Sequence, residues 1–396
     1  MFSQTFAILM VNLRSIPARM APSVIIIVGI GSVVAVLVSL MSMARGFEST
    51  LSSTGKDDRA LVLRAGSTSE INGSMPIDQY AIIRDMPEVA IVDQVNLASM
   101  ETFVTVNVPQ RSDNSDAVVP MRGVAAESFL VRSNVKIVSG RNLEFGKYEM
   151  IAGISAANQF TGIELNNTVN IRGVDWLVVG IFSASGGAYD SEVWVDERLL
   201  AASWNRGNTF SSMLVQLTGA EEFDSFQERI TLDKRLTAHA IRESDFYAEQ
   251  SKNTTGLITG VGLLIGTIMA IGAIFAALNS MHAALFSRAS EIATLRALGF
   301  GQTPIIFSVL IESVLIGTVG ALAGGLLVYF ALNGVGISTV AATSATFTQV
   351  AFQFMVTPLL LVQGIILAIL LALVGGFFPA IKAVRQPIIK GLGQRG

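Results

Sequence analysis

Few residues of this 396-residue chain could carry chemistry, and their spacing decides what kind. Gly55-Lys56 has the ending of a phosphate-binding loop, but Asp57 stands where that loop needs Ser or Thr, and Thr50 where it needs its first glycine. His239 and His282 lie far apart in sequence and belong to no His-Glu-x-x-His or similar ligand set. There is no Gly-x-Ser-x-Gly elbow, and the acidic pairs Asp57-Asp58 and Glu221-Glu222 sit in polar surroundings, as solvated faces do. Cysteine is absent, which removes disulfides and thiolate metal sites. ATP hydrolysis, metal-assisted hydrolysis and acyl transfer therefore find no residues to perform them, and the chain is not expected to be an enzyme by itself. What remains is charge in unusual places. Arg288, Glu291 and Arg296 share the short stretch Ser287 to Phe300 between two long apolar runs, and Glu312 lies inside the second of those runs.

The elements that hold these charges follow from composition. The chain is 51% hydrophobic and 14% charged, where a soluble domain carries about 25% charged residues. Its charges avoid four apolar runs, each long enough to cross a bilayer as a helix. The expected spans are residues 23–44, 254–280, 304–333 and 357–379. Pro17 and Pro22 should end or kink an interfacial helix over 1–22, whose Phe6, Leu9, Met10 and Leu13 share one face. The first run also has the makings of a signal peptide, with Ser42-Met43-Ala44 as its cleavage site, but its length favours a span.

With four spans both termini lie on one side. The segments on that side, 1–22, 281–303 and 380–396, hold eight basic residues against the single acid Glu291, which marks the side as cytoplasmic. Residues 45–253 carry 28 acids and 19 basic residues and are expected to face outward. Their strand-like runs, among them Val89 to Leu97, Thr102 to Val108 and Val118 to Val124, alternate with helical pieces and turn residues. The expected fold is therefore four transmembrane helices plus a large α+β extracytoplasmic domain inserted between the first and second, in two lobes, the second at roughly 118–200. An uncharged outer loop over 334–356 joins the third and fourth spans.

Within the spans, two kinds of residue stand out. Gly256 and Gly260, Gly262 and Gly266, and Gly320 and Gly324 repeat a spacing that lets helices approach closely in lipid, within one chain or against a second copy. Glu312 lies eight residues past Pro304, about 12 Å deep by helix rise, where an ionised acid costs roughly 2.5–3.5 kcal/mol. Protonation, or a bond to Ser280, Ser308 or Thr318, would relieve that cost. A structural polar contact is favoured over a proton relay, because no second ionisable residue falls in any span.

The segment Ser287-Arg-Ala-Ser-Glu-Ile-Ala-Thr-Leu-Arg-Ala-Leu-Gly-Phe300 resembles the Ser/Arg-x-x-Glu-Ile-x-x-Leu-Arg-Ala-Leu-Gly signature of the MacB/FtsX-like permeases of ABC transporters, the membrane subunits of type VII systems. Ala293 departs from it, where that family often has glycine. Leu310 to Leu315, Gly320 to Gly325, Gly376 to Arg385 with Pro387, and Asn12 to Pro17 are similar too; Gly123, Gly140-Arg141 and Val178 to Ile181 match more loosely. The resemblance implies a permease of the bacterial inner membrane, both termini cytoplasmic, that relays the motion of a separate ABC ATPase to its outward domain and so exports a substrate. It implies a coupling helix that seats on the ATPase through Arg288, Glu291, Ile292, Leu295, Arg296 and Gly299. It also implies a second permease, identical or related, and in some systems a periplasmic adaptor with an outer-membrane channel. ATP and magnesium would reside on the partner ATPase, with no cofactor on this chain and no nucleic acid as partner. Alternatives are an FtsX-like mechanotransmitter that activates a cell-wall hydrolase and a membrane-tethered sensor without an ATPase.

Overall fold

A computed structural model describes Met10 and residues 20–112, 114–338 and 350–385. The rest of the expected interfacial helix over 1–19, the tail beyond 385 and residues 339–349 of the outer loop lie outside the described residues. The chain divides into two compact units, one of residues 1–46, 255–335 and 353–396, the other of residues 47–254 and 336–352.

The first unit is built from apolar helices. Among the described residues the α-helices, in chain order, are α1 (Met20–Thr54), α2 (Asp78–Arg84), α3 (Ser128–Val131), α4 (Ile154–Gln159), α5 (Glu197–Ser203), α6 (Phe223–Leu232), α7 (Glu243–Phe286), α8 (Ala289–Ala297), α9 (Gln302–Leu332) and α10 (Pro358–Arg385). Among the described residues α7, α9 and α10, and α1 from Pro22, are long and apolar enough to cross a membrane. In α1 the residues Ile26, Ile30, Val33, Val34 and Val38 are buried at helical spacing, while Val24, Ile25 and Val28 face outward. Two of these helices outrun the apolar stretches that signal them. α1 has 35 residues and α7 has 44, because the polar stretches Ala44 to Thr54 and Glu243 to Thr254 stay helical beyond the lipid-length core.

Glycines set how closely the helices pack. A Cβ at Gly324 would lie 2.2 Å from the Gly31 carbonyl oxygen, and one at Gly320 would lie 2.8 Å from that of Ile27, so α1 and α9 cross backbone to backbone. Gly262 and Gly266 make room instead for the side chains of Leu40 and Leu37 of α1. A Cβ at Gly256 or Gly260 would meet nothing within 4 Å, so of the two arrangements their spacing allows, packing within one chain is not seen among the described residues. The physical reason is angular. At 100° per residue the two pairs sit about 120° apart around α7, and only one of those faces has a neighbour.

The second unit is an α+β domain. Its strands are β1 (Arg59–Arg64), β2 (Met75–Pro76), β3 (Ile91–Val92), β4 (Val95–Asn96), β5 (Ala98–Pro109), β6 (Asp116–Val124), β7 (Lys136–Gly140), β8 (Glu149–Gly153), β9 (Thr168–Ile171), β10 (Val174–Ser183), β11 (Val193–Asp196), β12 (Thr209–Phe210), β13 (Ser212–Gln216) and β14 (Ala238–Arg242). The main sheet runs β14-β1-β13-β5-β6-β11-β8-β10-β7, with β9 also on β10. Alternation puts Ala60, Val62, Met213 and Val215 on one face, covered by Ile83 of α2 and Phe226 and Ile230 of α6. A separate core forms around Val104, Val119, Met121, Trp176 and Val195.

The long strand β5 serves both cores. Ala98 to Glu101 pairs with β13 and Thr102 to Pro109 with β6, so the second lobe begins on a strand shared with the first. The expected strand over Val89 to Leu97 is instead a small hairpin, β3 with β4. Asp93 and Gln94 both take positive φ at its tip, the geometry of a tight hairpin turn, with a residue pair that carries a weak turn signal.

Candidate functional site

The charged stretch between the second and third apolar runs folds as the short helix α8. Its stop is built by the sequence Leu295 to Phe300. The Phe300 amide donates to the Leu295 carbonyl and the Gly299 amide to that of Arg296, both at 3.1 Å, while Gly299 takes φ +93°. This is a left-handed glycine cap, and Leu295 and Phe300, the two residues that flank it, both pack on the helical core. α9 then starts at Gln302, with Gly301 as the residue before its first turn. Pro304 thus falls inside the first turn, where a missing amide costs nothing.

The residues singled out from the sequence divide by face. Arg288, Ile292 and Ala293 are buried, Leu295 and Arg296 are half-buried, and Glu291, Thr294, Ala297 and Leu298 are exposed, Leu298 at 71%. The exposed set recurs at three- and four-residue spacing and forms one side of the helix. Arg288 turns inward. Its Nη1 lies 3.2 Å from Oε2 of Glu312 in α9, and the two side chains are only 6% and 12% exposed. The buried acid of the third apolar helix is therefore answered by an arginine from the connecting segment. Such a pair is weak evidence for stability but strong evidence for register, since breaking it leaves a buried charge without its counterion. It ties the start of α8 to the body of the helical unit, about three turns in from the start of α9.

A second polar centre, in the outward domain, was not legible from sequence. Arg122 of β6 donates from Nε and Nη2 to Glu192 at 2.8 Å each, and from Nη1 to Glu70 and Glu101 at 2.7 Å each. Arg132 grips the same Glu101 through its two terminal guanidinium nitrogens, Nη1 and Nη2. The ring of Phe103 lies 4.6 Å from the Arg122 guanidinium and that of Tyr189 4.6 Å from that of Arg132. Burial alone would raise the Glu101 carboxyl, but the Arg132 and Arg122 guanidiniums outweigh it and hold it down at about 2. Burial likewise pushes the Tyr189 hydroxyl up. The partners come from β5, β6, the loop before β11 and the segment before β2, so only the closed fold brings them together. Chemically the centre is a clasp: every carboxylate in it accepts from an arginine, a serine or Trp194, and none is presented to a reacting group.

Among the described residues no three His, Asp or Glu side chains group so as to hold a metal ion. His239 and His282 take no part in either centre.

A family model for the MacB-like periplasmic core domain matches residues 23–232, and one for the FtsX-like permease C-terminal region matches residues 263–388. The chain belongs to the MacB/FtsX-like ABC transporter permeases. It is similar over nearly its whole length to the uncharacterized ABC transporter permease YknZ of Bacillus subtilis (strain 168), with 21% identity over 385 residues, 93% of this chain and 92% of that protein. It is 24% identical over 332 residues to the macrolide export ATP-binding/permease protein MacB 1/2 of Paracoccus denitrificans (strain Pd 1222), covering 78% of this chain and 46% of that longer relative. Among solved structures, the extracellular domain of YknZ aligns with 46% of this chain and 99% of its own, at TM-score 0.36 and 16% identity. The periplasmic region of MacB from Actinobacillus actinomycetemcomitans aligns with 51% and 95%, at TM-score 0.37 and 13% identity. In this MacB/FtsX-like permease the α8 segment and the Arg288–Glu312 pair both fall inside the FtsX-like region, and the Arg122 clasp falls inside the periplasmic core region.

Proposed function

We propose that this permease relays the ATP-driven motion of a separate ABC ATPase to its extracytoplasmic domain, and thereby extrudes a substrate on the outer side of the bacterial inner membrane. Residues 281–303 form the cytoplasmic coupling segment, both termini are cytoplasmic, residues 45–253 are extracytoplasmic, and a second permease completes the transporter. The observation that carries this reading is the construction of α8. It is pinned at its start by the buried Arg288–Glu312 pair and stopped at its end by the Gly299 cap, yet it leaves Glu291, Thr294 and Leu298 exposed on one side. A surface helix held at both ends, with one solvent-exposed side, transmits a push from a docked partner instead of absorbing it by local flexing.

The outer part of the proposal draws support from helix continuity. α1 and α7 each contribute residues to both units without a break in the helix, so no flexible linker interrupts the chain at either junction. The test is reconstitution with the soluble ATPase that co-purifies with the chain. ATPase stimulation lost in Arg296→Glu, with the complex otherwise folded, supports the coupling role. A chain that binds no ATPase even with ATP trapped, or unchanged stimulation in the variant, refutes it. An FtsX-like activator would give the same ATPase result but would engage a protein on the outward domain and move no exported compound.

A further inference from the structure

Within the helical unit, α7, α8 and α10 enclose a small notch. α7 and α10 cross closely at Gly375, where a Cβ would lie 2.6 Å from that of Ala277. About one turn beyond that contact the notch begins, with Leu285 and Phe286 of α7, Ile292 of α8 and Pro379 of α10 as apolar walls. Two basic side chains complete the lining, His282 from α7 and Lys382 from α10, and no acid belongs to it. The enclosed part measures about 10 Å³, room for about one water, so only the tip of a ligand can enter.

Neither basic side chain is spoken for. Among the described residues Lys382 makes no side-chain hydrogen bond and no ion pair, and the His282 ring lies against that of Phe286, centroids 6.3 Å apart, without a polar partner. An ammonium offers three donors, and an imidazole one even when neutral. Ala289, the first residue of α8, also lines the notch, and Arg288 before it supplies no side-chain cap bond, so the positive end of that helix adds to the same field. Glu291, the acid nearest in sequence, is exposed and stands outside the lining. Around this polar tip the surface is apolar. Phe286 is exposed, and so is Phe378, one turn before Lys382 on the same face of α10. A cation beside exposed rings at the end of an apolar helix suits a membrane boundary, the lysine reaching headgroups and the rings meeting acyl chains. A small free anion would use the cations and leave Phe286 and Phe378 uncovered, whereas a phospholipid uses both.

We infer that this notch binds an anionic phospholipid, its phosphate held by Lys382 and His282 and its acyl chains along Phe286 and Phe378. The inference rests on the reading that residues 281–303 and 380–396 lie at the cytoplasmic membrane surface, where basic pockets between helices take lipid headgroups. Because Ala289 and Ile292 form part of the lining, the charge of the membrane bears directly on the coupling helix. The site is read by lipid binding without any ATPase, so its failure leaves the coupling test untouched.

The chain has no cysteine, so Ser287→Cys, at an exposed position next to Phe286, takes a single bimane label that reports on this notch. The labelled full chain is placed in phosphatidylcholine bilayers, in which brominated phosphatidylglycerol or brominated phosphatidylcholine replaces a rising share of the lipid, and quenching is measured. Phosphatidylglycerol is expected to reach half-maximal quenching at a mole fraction about fivefold lower, the worth of one interfacial lysine. Lys382→Gln should erase that preference and Lys382→Arg should keep it. Arg385→Gln, on the same helix but outside the lining, should change it less than about twofold, below the worth of one interfacial charge. Should Lys382→Gln lose its native thermal transition, His282→Phe, which keeps a ring against Phe286, takes its place and should weaken the preference. Equal quenching by the two lipids, or a preference that survives both Lys382→Gln and His282→Phe, overturns the proposal. So does an equal loss in Arg385→Gln, which marks a diffuse surface charge, or relief of quenching by inorganic phosphate at constant ionic strength, which marks a site for the free anion.

Discussion

Removing either partner of the Arg288–Glu312 pair should cost far more than removing both. The pair spans 3.2 Å and its side chains are 6% and 12% exposed, so neither charge can turn to water when the other is lost. Glu312→Gln leaves the guanidinium buried without its counterion, and Arg288→Met leaves the carboxylate so, each at about 3–5 kcal/mol. Replacing both, as Arg288→Met with Glu312→Leu, removes the desolvation cost along with the attraction and should land near the parent protein or up to about 4 kcal/mol above it. Unfolding followed by helical circular dichroism during a detergent titration in mixed micelles measures all three variants on one scale. The double variant should be more stable than either single one, with a coupling above about 2 kcal/mol. Single losses below about 1 kcal/mol, the range of exposed pairs, or a double variant that loses the sum of the two would refute the buried-pair account. The double variant should still show impaired ATPase coupling, since a correctly folded chain would then lack the tie that fixes the start of α8.

Further outcomes follow from the same geometry. Gly324→Val should abolish assembly of the helical unit, as its Cβ would lie 2.2 Å from a carbonyl oxygen, whereas Gly256→Val, with nothing within 4 Å, should leave thermal stability of the monomeric chain unchanged. Gly299→Ala forces an L side chain to φ +93° and should cost about 1–2 kcal/mol by the same unfolding assay. Glu101 is held below its ordinary value, so its stabilisation of the outward domain is complete above the unfolded carboxylate range. It should be lost as pH falls from about 4.5 towards 2, in all about 3 kcal/mol. Burial holds Asp190, Glu197 and Glu243 above their usual values, and their effect runs the opposite way. Tryptophan fluorescence reads this transition in the full chain, because Trp176, Trp194 and Trp204 all belong to the domain; a melting temperature that stays flat from pH 5 to 2.5, roughly the window of carboxylate titration, would contradict it.

The apolar helices were legible because a lipid-length run of uncharged residues has few other uses, and β5 and β6 were legible as runs of β-branched and apolar residues, buried on both faces over much of their length. Length was not. Hydropathy registers only the part of α1 and α7 that suits lipid, and the polar turns that extend both helices carry no apolar signal. Spacing alone could not tell Gly262 and Gly266, which meet α1, from Gly256 and Gly260, which meet nothing, since the neighbour decides which face matters. The partner of Glu312 escaped notice because Arg288 precedes it across a turn and a short helix and was expected to face outward with its neighbours. The Arg122 clasp is least legible of all: its members sit on separate strands and loops, and nothing in the local sequence around Glu70 or Glu192 marks a buried acid.

The most direct test of the coupling account is site-specific photo-crosslinking from α8 in membranes that contain the chain and its ATPase. A photoreactive residue at exposed Leu298 or Glu291 should capture a soluble ATPase subunit, with a yield that changes when ATP is trapped, while the same residue at buried Ile292 should capture none. Absence of any ATPase adduct from Leu298 and Glu291, or equal capture from Ile292, would contradict the proposal that the exposed side of this pinned helix is where the motor docks.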